Sequence, residues 1–276
     1  MGKMLINITN QLILTIIMTF LVFSIIMSSY YSYYIYRSFK LITIIENKYN
    51  SKLIYVKDTN MNFVNKILMT IYKNIIISIN DNNSLRKLLQ QNSTHKLTLI
   101  VKSSGGYISS SDSMLNLLDC HKPQKNVYVP GYAMSAATLL TLTCDKIFMN
   151  KYAVLGPTDP QITVLDEVIS YRTIQKIIEN KDINKIKDKI LLSYYDNKNL
   201  YDENINYIKK YLKKHKRKNV LEYELDDFVD KFSFGNIPHH TEFTPNTLSK
   251  IININYDIPQ DIYEIYNILN YIFEIW

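Results

Sequence analysis

The stretch VPGYAMSAATLL, residues 129 to 140, sets one serine, Ser135, among small side chains just after a Pro130-Gly131 turn. A serine hydroxyl is a weak nucleophile. To attack a carbonyl it needs a base, a group that orients the base, and donors for the developing oxyanion. Ser135 opens an apolar run, residues 135 to 145, that reads as a helix. At a helix start the N–H of the next residue, Ala136, points toward such a charge, and the helix dipole assists it. Ala133, Ala136 and Ala137 permit close approach of a substrate backbone. Further donors are offered by Gly105 and Gly106, which follow an apolar run at the end where open α/β sheets gather their sites. The same serine also fits a plain helix N-cap. The G-x-S-x-G elbow motif is absent, so the local sequence leaves both readings open.

The elements that must position these residues follow from pattern. Residues 52 to 57, 74 to 80, 96 to 103 and 126 to 131 read as strands, and 84 to 91, 109 to 121 and 135 to 145 as helices, with Ser84 placed to cap the first. Residues 146 to 157 give another strand and turn. Strand, Gly-Gly turn, helix, strand, turn, helix, strand is the pattern of α/β crossover units. Residues 166 to 182, 196 to 214, 219 to 230 and 259 to 273 read as helices. Residues 237 to 246, IPHHTEFTPN, read as a loop, and the stretch after it as a capped helix and a strand. The chain has only six glycines, where average usage of roughly 7% would give about nineteen. An Ile/Asn/Lys/Tyr bias of this kind leaves glycine where the backbone requires it. Gly105, Gly106, Gly131 and Gly156 surround Ser135, and Gly235 precedes a His239-His240 pair.

Residues 4 to 36 carry no charge, with Lys3 before them and Arg37 and Lys40 after. That is long enough to span a bilayer, and the tyrosines near its end suit the interface. The heavier positive charge after the segment places the C-terminal body in the cytosol, where the sequons at Asn82 and Asn92 would be silent. The expected organisation is an anchor over residues 1–36 and a folded domain over 37–276. The net charge of +7 lies in residues 209 to 218, which hold seven Lys/Arg and read as the solvated end of a helix. Without them the chain carries 25 basic and 25 acidic residues, which excludes a broad nucleic-acid footprint. Cys120 and Cys144 make neither a disulfide framework nor a metal site, and fit a reducing compartment.

Residues 101–114, 129–162 and 234–244 together resemble the serine dehydrogenase proteinase family, membrane-anchored relatives of the Clp proteases and signal peptide peptidases. The most specific stretch is Tyr-Ala-Met-Ser followed, about twenty residues on, by Ala-Val-Leu-Gly-Pro-x-Asp-Pro-Gln. The resemblance implies a Clp/crotonase-like ββα superhelix behind an N-terminal transmembrane helix. It implies a serine endopeptidase acting on peptide or protein substrates without a cofactor or metal. It also implies a homo-oligomer, for which the apolar C-terminal helix would suit a subunit contact. By motif the nucleophile falls on Ser135, the acid on Asp159 and the base on His239. The oxyanion donors fall on Gly106 and Ala136, and substrate strand pairing on Gly105 and Tyr107. Relatives with a Ser–Lys dyad place an alternative base on Lys176, forty-one residues past the serine. The chain departs from the family at Ser104, where proline is usual before Gly-Gly, and at His240, where an aspartate follows the histidine.

Local chemistry narrows the histidines without separating the last two. His215 lies among cations, and His95 and His121 lie at the strand ends opposite the Gly-Gly turn, which leaves His239 and His240. Two further readings stand beside the peptidase. One is an inactive scaffold that keeps the fold and binds partners at a membrane. The other is an acyl-CoA crotonase chemistry, which has no need of Ser135. No G-x-x-x-x-G-K motif is present, so any unfoldase is a separate protein.

Overall fold

The computed structural model describes residues 2–58, 63–106, 108–164, 167–233 and 238–274. Its first half runs α1 (Gly2–Tyr49), β1 (Ser51–Lys57), α2 (Phe63–Ile71), β2 (Ile76–Ser78), α3 (Asn82–Gln91), β3 (Lys96–Lys102), α4 (Ile108–Cys120) and β4 (Lys125–Val129). Then come β5 (Tyr132–Ala133), α5 (Ala136–Thr143), β6 (Lys146–Met149), β7 (Val154–Leu155), β8 (Gln161–Val164) and β9 (Glu167–Ser170). The remainder is helical: α6 (Tyr171–Asn180), α7 (Asp188–His215), α8 (Glu222–Ser233), α9 (Pro245–Leu248) and α10 (Gln260–Glu274).

Five parallel strands form the central sheet in the order β2-β1-β3-β4-β6. Both faces are covered, which is why these strands read as near-continuous apolar runs. Ile54, Val56, Leu97, Leu99 and Val101 pack on one side against α3, α4 and α5. Leu53, Tyr55, Ile100 and Tyr128 pack on the other side against α1, α2 and α10. The alternation along β1 and β3 is the period of two that a strand imposes.

The N-terminal helix has two parts in one unbroken element. Leu14, Phe20, Phe23 and Ile25 are exposed, and this part is long and apolar enough to cross a membrane. From Ser38 onward it belongs to the body, with Ile42 and Ile45 buried in the sheet's second face. Lys48 Nζ pairs with the Asp261 carboxylate at 2.7 Å, tying α1 to α10. The apolar face of α10, expected to serve a subunit contact, is therefore spent inside the chain on Ile262, Ile265, Leu269 and Ile272.

Three local expectations are corrected. Asp81, and not Ser84, caps α3: its carboxylate accepts the Ser84 N–H at 3.0 Å. Residues 166 to 182 are not one helix. Glu167–Ser170 pairs antiparallel with Gln161–Val164, and α6 starts only after Ser170, whose hydroxyl accepts the Thr173 N–H. The Val168-Ile169 pair favours the extended state, and Ser170 supplies the N-cap. The basic run is also not simply solvated. It ends α7 with its cations partnered: Lys209 with Asp226, Lys210 with Asp119, Lys213 with Glu222, and Lys214 with Asp145 and the Thr143 carbonyl.

His215, within that run, is buried, and its Nε2 lies 2.9 Å from the Leu142 carbonyl. Burial lowers its pKa from the ordinary 6.5, with Lys214 acting the same way and Asp145 opposing. His121, 2.9 Å from the His95 carbonyl, is lowered for the same first reason. A histidine held neutral by the fold contributes its full stability above the unfolded-state pKa and loses it as pH falls through about 6.5 and below. The full chain in detergent is expected to unfold at a lower temperature at pH 5 than at pH 8. The gap is expected to narrow in His215→Gln; an unchanged gap would remove His215 from the account.

Candidate active site

The site is assembled at the C-terminal edge of the sheet by three short backbone pairings. β3 continues to Ser103, which bridges to Ala133 in parallel fashion, and the Met134 N–H donates to the Ser103 carbonyl at 2.9 Å. β5 pairs with β7, setting Ala133 opposite Leu155. On its other side Leu155 pairs antiparallel with Phe243, exchanging N–H···O bonds of 3.0 and 2.8 Å. The strand Val154–Leu155 thus lies between the segment leading into Ser135 and the segment leading back from His239. Asp159 lies four residues beyond Leu155 on the connecting turn.

Ser135 occupies the N-cap position of α5, yet its side chain makes no capping bond. Its backbone lies at φ +50° and ψ −121°. Positive φ is uncommon for any residue with a Cβ, and such strain persists only where the surroundings enforce it. Here they do. The Thr138 hydroxyl donates between the Ala133 and Gly156 carbonyls at 2.7 and 3.0 Å. The Gly156 N–H donates to the Ala133 carbonyl at 3.0 Å. The geometry is that of a strained strand-to-helix turn, the kind that carries the serine of the G-x-S-x-G motif, here without that motif. The small residues that the motif supplies as glycines are here Ala133 and Ala137, both fully buried.

Gly105 abuts the serine. It lies at φ +105°, and a Cβ there would meet Ser135 Cβ at 2.8 Å and the Met134 carbonyl at 2.9 Å. Its own N–H is occupied, donating to Ser103 Oγ at 3.0 Å. Gly106 is packed against Asn80 and Ile79, where a Cβ would come within 2.2 Å of Asn80 Oδ1. As the first residue of α5, Ala136 has an N–H that starts outside the intrahelical ladder. Tyr107, and Gly235 before the histidine pair, lie outside the described residues.

Asp159 and His239, eighty residues apart, are brought into direct contact. His239 Nδ1 donates to Asp159 Oδ1 at 2.6 Å, and the carboxylate is only 3% exposed. Gln161 Nε2 donates to the second carboxylate oxygen at 2.6 Å and also lies 3.3 Å from His239 Nδ1. The turn carrying Asp159 is held where the Thr158 N–H donates to the Phe232 carbonyl at 2.8 Å. That bond joins it to the end of α8, just ahead of the segment leading to His239. The histidine keeps Nε2 free, and no hydrogen bond joins it to the Ser135 hydroxyl among the described residues. His240 is exposed, and Lys176 is exposed on α6. Two participants carried no usable sequence signal. Gln161 lies in the quoted motif, but only the fold turns its amide onto Asp159. Asp58, at the end of β1, reaches the Gly-Gly loop across forty-five residues of chain.

A profile of the ClpP-like SDH-type serine proteinase family matches residues 3–273. The chain belongs to that family. Family membership agrees with the parallel sheet flanked by helices and with the long apolar helix ahead of it. Two uncharacterized proteins of Methanocaldococcus jannaschii are similar: one is 30% identical over 55% of this chain and 51% of its own length. The other is 26% identical over 61% of this chain and 55% of its own length. The chain spans about half the length of these curated relatives. Two solved structures of a 1510-N membrane-bound stomatin-specific protease are also similar, each at 15% identity. The first, a serine-to-alanine mutant, covers 80% of this chain and 86% of its own with a TM-score of 0.41. The second, a lysine-to-alanine mutant in complex with a substrate peptide, covers 75% and 77% with a TM-score of 0.42.

Proposed function

We propose that this chain is a membrane-anchored serine peptidase in which Ser135 attacks the peptide carbonyl. One observation carries the reading: a serine held at positive φ at a helix start, with its hydroxyl spent on no capping bond. An N-cap serine has neither property. In the proposed reaction the Ser135 Oγ–C bond forms as the hydroxyl proton passes to His239 Nε2. Asp159 accepts Nδ1–H, which selects the tautomer with a free Nε2 and stabilises the imidazolium that forms. The Gly106 and Ala136 N–H groups receive the oxyanion. The C–N bond then breaks, the proton passes from His239 to the leaving amine, and water hydrolyses the acyl-serine by the same route in reverse. Gly105 and Tyr107 line the substrate strand. The exposed part of α1 spans the bilayer, and the charges after it hold the peptidase body, residues 37–276, on the cytosolic side. The site calls for no metal or cofactor. Assembly into a homo-oligomer would use surfaces other than the apolar face of α10.

The deciding experiment is fluorophosphonate labelling of the full chain in membrane vesicles. Labelling of wild type that is lost in Ser135→Ala and His239→Ala supports the reading. Labelling that survives His239→Ala and fails in Lys176→Ala moves the base to the lysine. A folded wild type that is never labelled is the inactive scaffold. Retention in the vesicle pellet through carbonate extraction is expected of a spanning α1, and release would refute the anchor.

Gly105→Ala gives a further expectation. The added methyl meets Ser135 Cβ and the Met134 carbonyl, and φ +105° is unfavourable for alanine. Displacement of reacting groups by about 1 Å costs about 100-fold in rate. The labelling rate is expected to fall by about that factor; a rate within threefold of wild type would contradict the close contact.

A further inference from the structure

We infer that Asp58 is a positioning residue for the oxyanion loop, acting through Ser103 to fix the Ser104–Gly105 peptide that leads into Gly106. This rests on the peptidase reading above and deepens it. Asp58 directly follows β1, which lies next to β3 in the sheet, so its carboxylate lies beside the chain leaving β3. One oxygen accepts the Ser103 hydroxyl at 2.6 Å, and the other accepts the Ser104 N–H at 2.8 Å. Ser103 Oγ, with its O–H directed to Asp58, accepts the Gly105 N–H at 3.0 Å. The relay therefore runs from carboxylate to hydroxyl to the glycine amide immediately before the proposed donor, Gly106.

Each link has a physical reason. Ser103 is fully buried, so its hydroxyl gains from a charged acceptor, and such bonds are short and strong. Two adjacent glycines have the least intrinsic preference for one backbone conformation. Oxyanion stabilisation needs the opposite, donors fixed in advance where charge will develop. The Gly105 N–H, tied to Ser103, fixes the Ser104–Gly105 peptide, the last one before the unit that carries the Gly106 N–H. Ser103 also binds Met134, one residue before the nucleophile, through its carbonyl. One residue thus couples the donor loop to the serine turn, and Asp58 holds that residue in place. Asp58 does so from the wall of a cavity of about 340 Å³ that also holds Lys57, Lys102 and Glu274. Lys102 pairs with Glu274 there, and Lys57 Nζ lies 4.4 Å from the centre of the Phe273 ring. Among the described residues the Asp58 carboxylate is thereby left to the loop.

The test uses the full chain in detergent with Asp58→Ala, Asp58→Asn and Ser103→Ala. Two affinities are compared for one peptide sequence: a peptide boronate, whose tetrahedral adduct with Ser135 places an oxygen in the donor site, and the unreacted substrate peptide, read as KM. Asp58→Ala and Ser103→Ala are expected to weaken the boronate by about 10- to 100-fold while KM moves less than threefold. Asp58→Asn, which keeps one acceptor, should fall between. A residue needed only for folding would lower the active fraction and leave the boronate affinity of the remaining molecules unchanged. Equal boronate affinity in all three variants overturns the inference. If Asp58→Ala does not fold, Ser103→Ala and Asp58→Asn decide alone. Failure of wild type itself to label with a fluorophosphonate or bind the boronate would sink the peptidase reading instead, so the two failures are distinct.

Discussion

Ser135→Gly is expected to abolish peptide cleavage and at the same time to make the protein more stable than Ser135→Ala. The first effect follows from loss of the nucleophile. Removal of a serine acting with a histidine as one unit costs about 10⁶ in kcat, with a residue of catalysis left from the oxyanion site and binding. The second effect follows from the backbone. At φ +50° and ψ −121° a Cβ is disfavoured, and strain of this kind is worth about 1–3 kcal/mol. Glycine relieves it but has more freedom to lose on folding, a cost of about 0.5–1 kcal/mol. The net expectation is a gain of about 1 kcal/mol for Ser135→Gly over Ser135→Ala, read from thermal unfolding in detergent. An ordinary N-cap serine behaves differently against wild type: with the cap bond lost, glycine in its place falls slightly below wild type, whereas here, with no cap bond to lose, glycine is expected to exceed wild type. A glycine variant no more stable than wild type would therefore return Ser135 to the status of a cap.

Asp159→Asn is expected to lower kcat by about 10³- to 10⁴-fold with little change in KM. The carboxylate is almost fully buried, and His239 donates to it from Nδ1. An asparagine amide turned toward the ring donates where the aspartate accepts. It favours the tautomer with the proton on Nε2, the atom that must take the serine proton. The amide can instead flip to keep accepting from His239, but its nitrogen then faces Gln161 Nε2, which donates to the second oxygen at 2.6 Å. Two donors would face each other in a buried site. Gln161 opposes that escape in its present orientation, and the asparagine regains it only if the Gln161 amide turns over to present Oε1. Asp159→Asn combined with Gln161→Glu, whose protonated or ionised oxygen accepts, is expected to recover part of the loss. Steady-state cleavage across pH measures both variants. Unimpaired cleavage by Asp159→Asn would show that the base is oriented from elsewhere, and Lys176 would then return as the candidate.

What the sequence alone determined is whatever depends on neighbours a few residues away. The apolar runs at 52–57, 96–103 and 126–131 become β1, β3 and β4 because strands buried on both faces need apolar side chains on both. The uncharged stretch ahead of Arg37 specifies a long helix because its length and composition do so without tertiary help. The scarcity of glycine already singles out 105 and 106, while the reason, a Cβ that would collide with the serine turn or Asn80, is tertiary. Only the tertiary structure decided matters that join distant segments. The strain at Ser135 comes from Thr138, Ala133 and Gly156 acting together, while the residues around the serine fit a relaxed cap equally well. His239 is separated from His240 by the Leu155–Phe243 pairing, which turns one imidazole onto Asp159 and leaves the other exposed. The basic run becomes a seam only because Asp119, Asp145, Asp226 and Glu222 are folded against it. The β8–β9 hairpin was hidden because its second strand leads directly into a helix with a strong apolar face. Asp58 belongs to the loop it buckles only through the register of β1 beside β3, a relation between strands that no local pattern encodes.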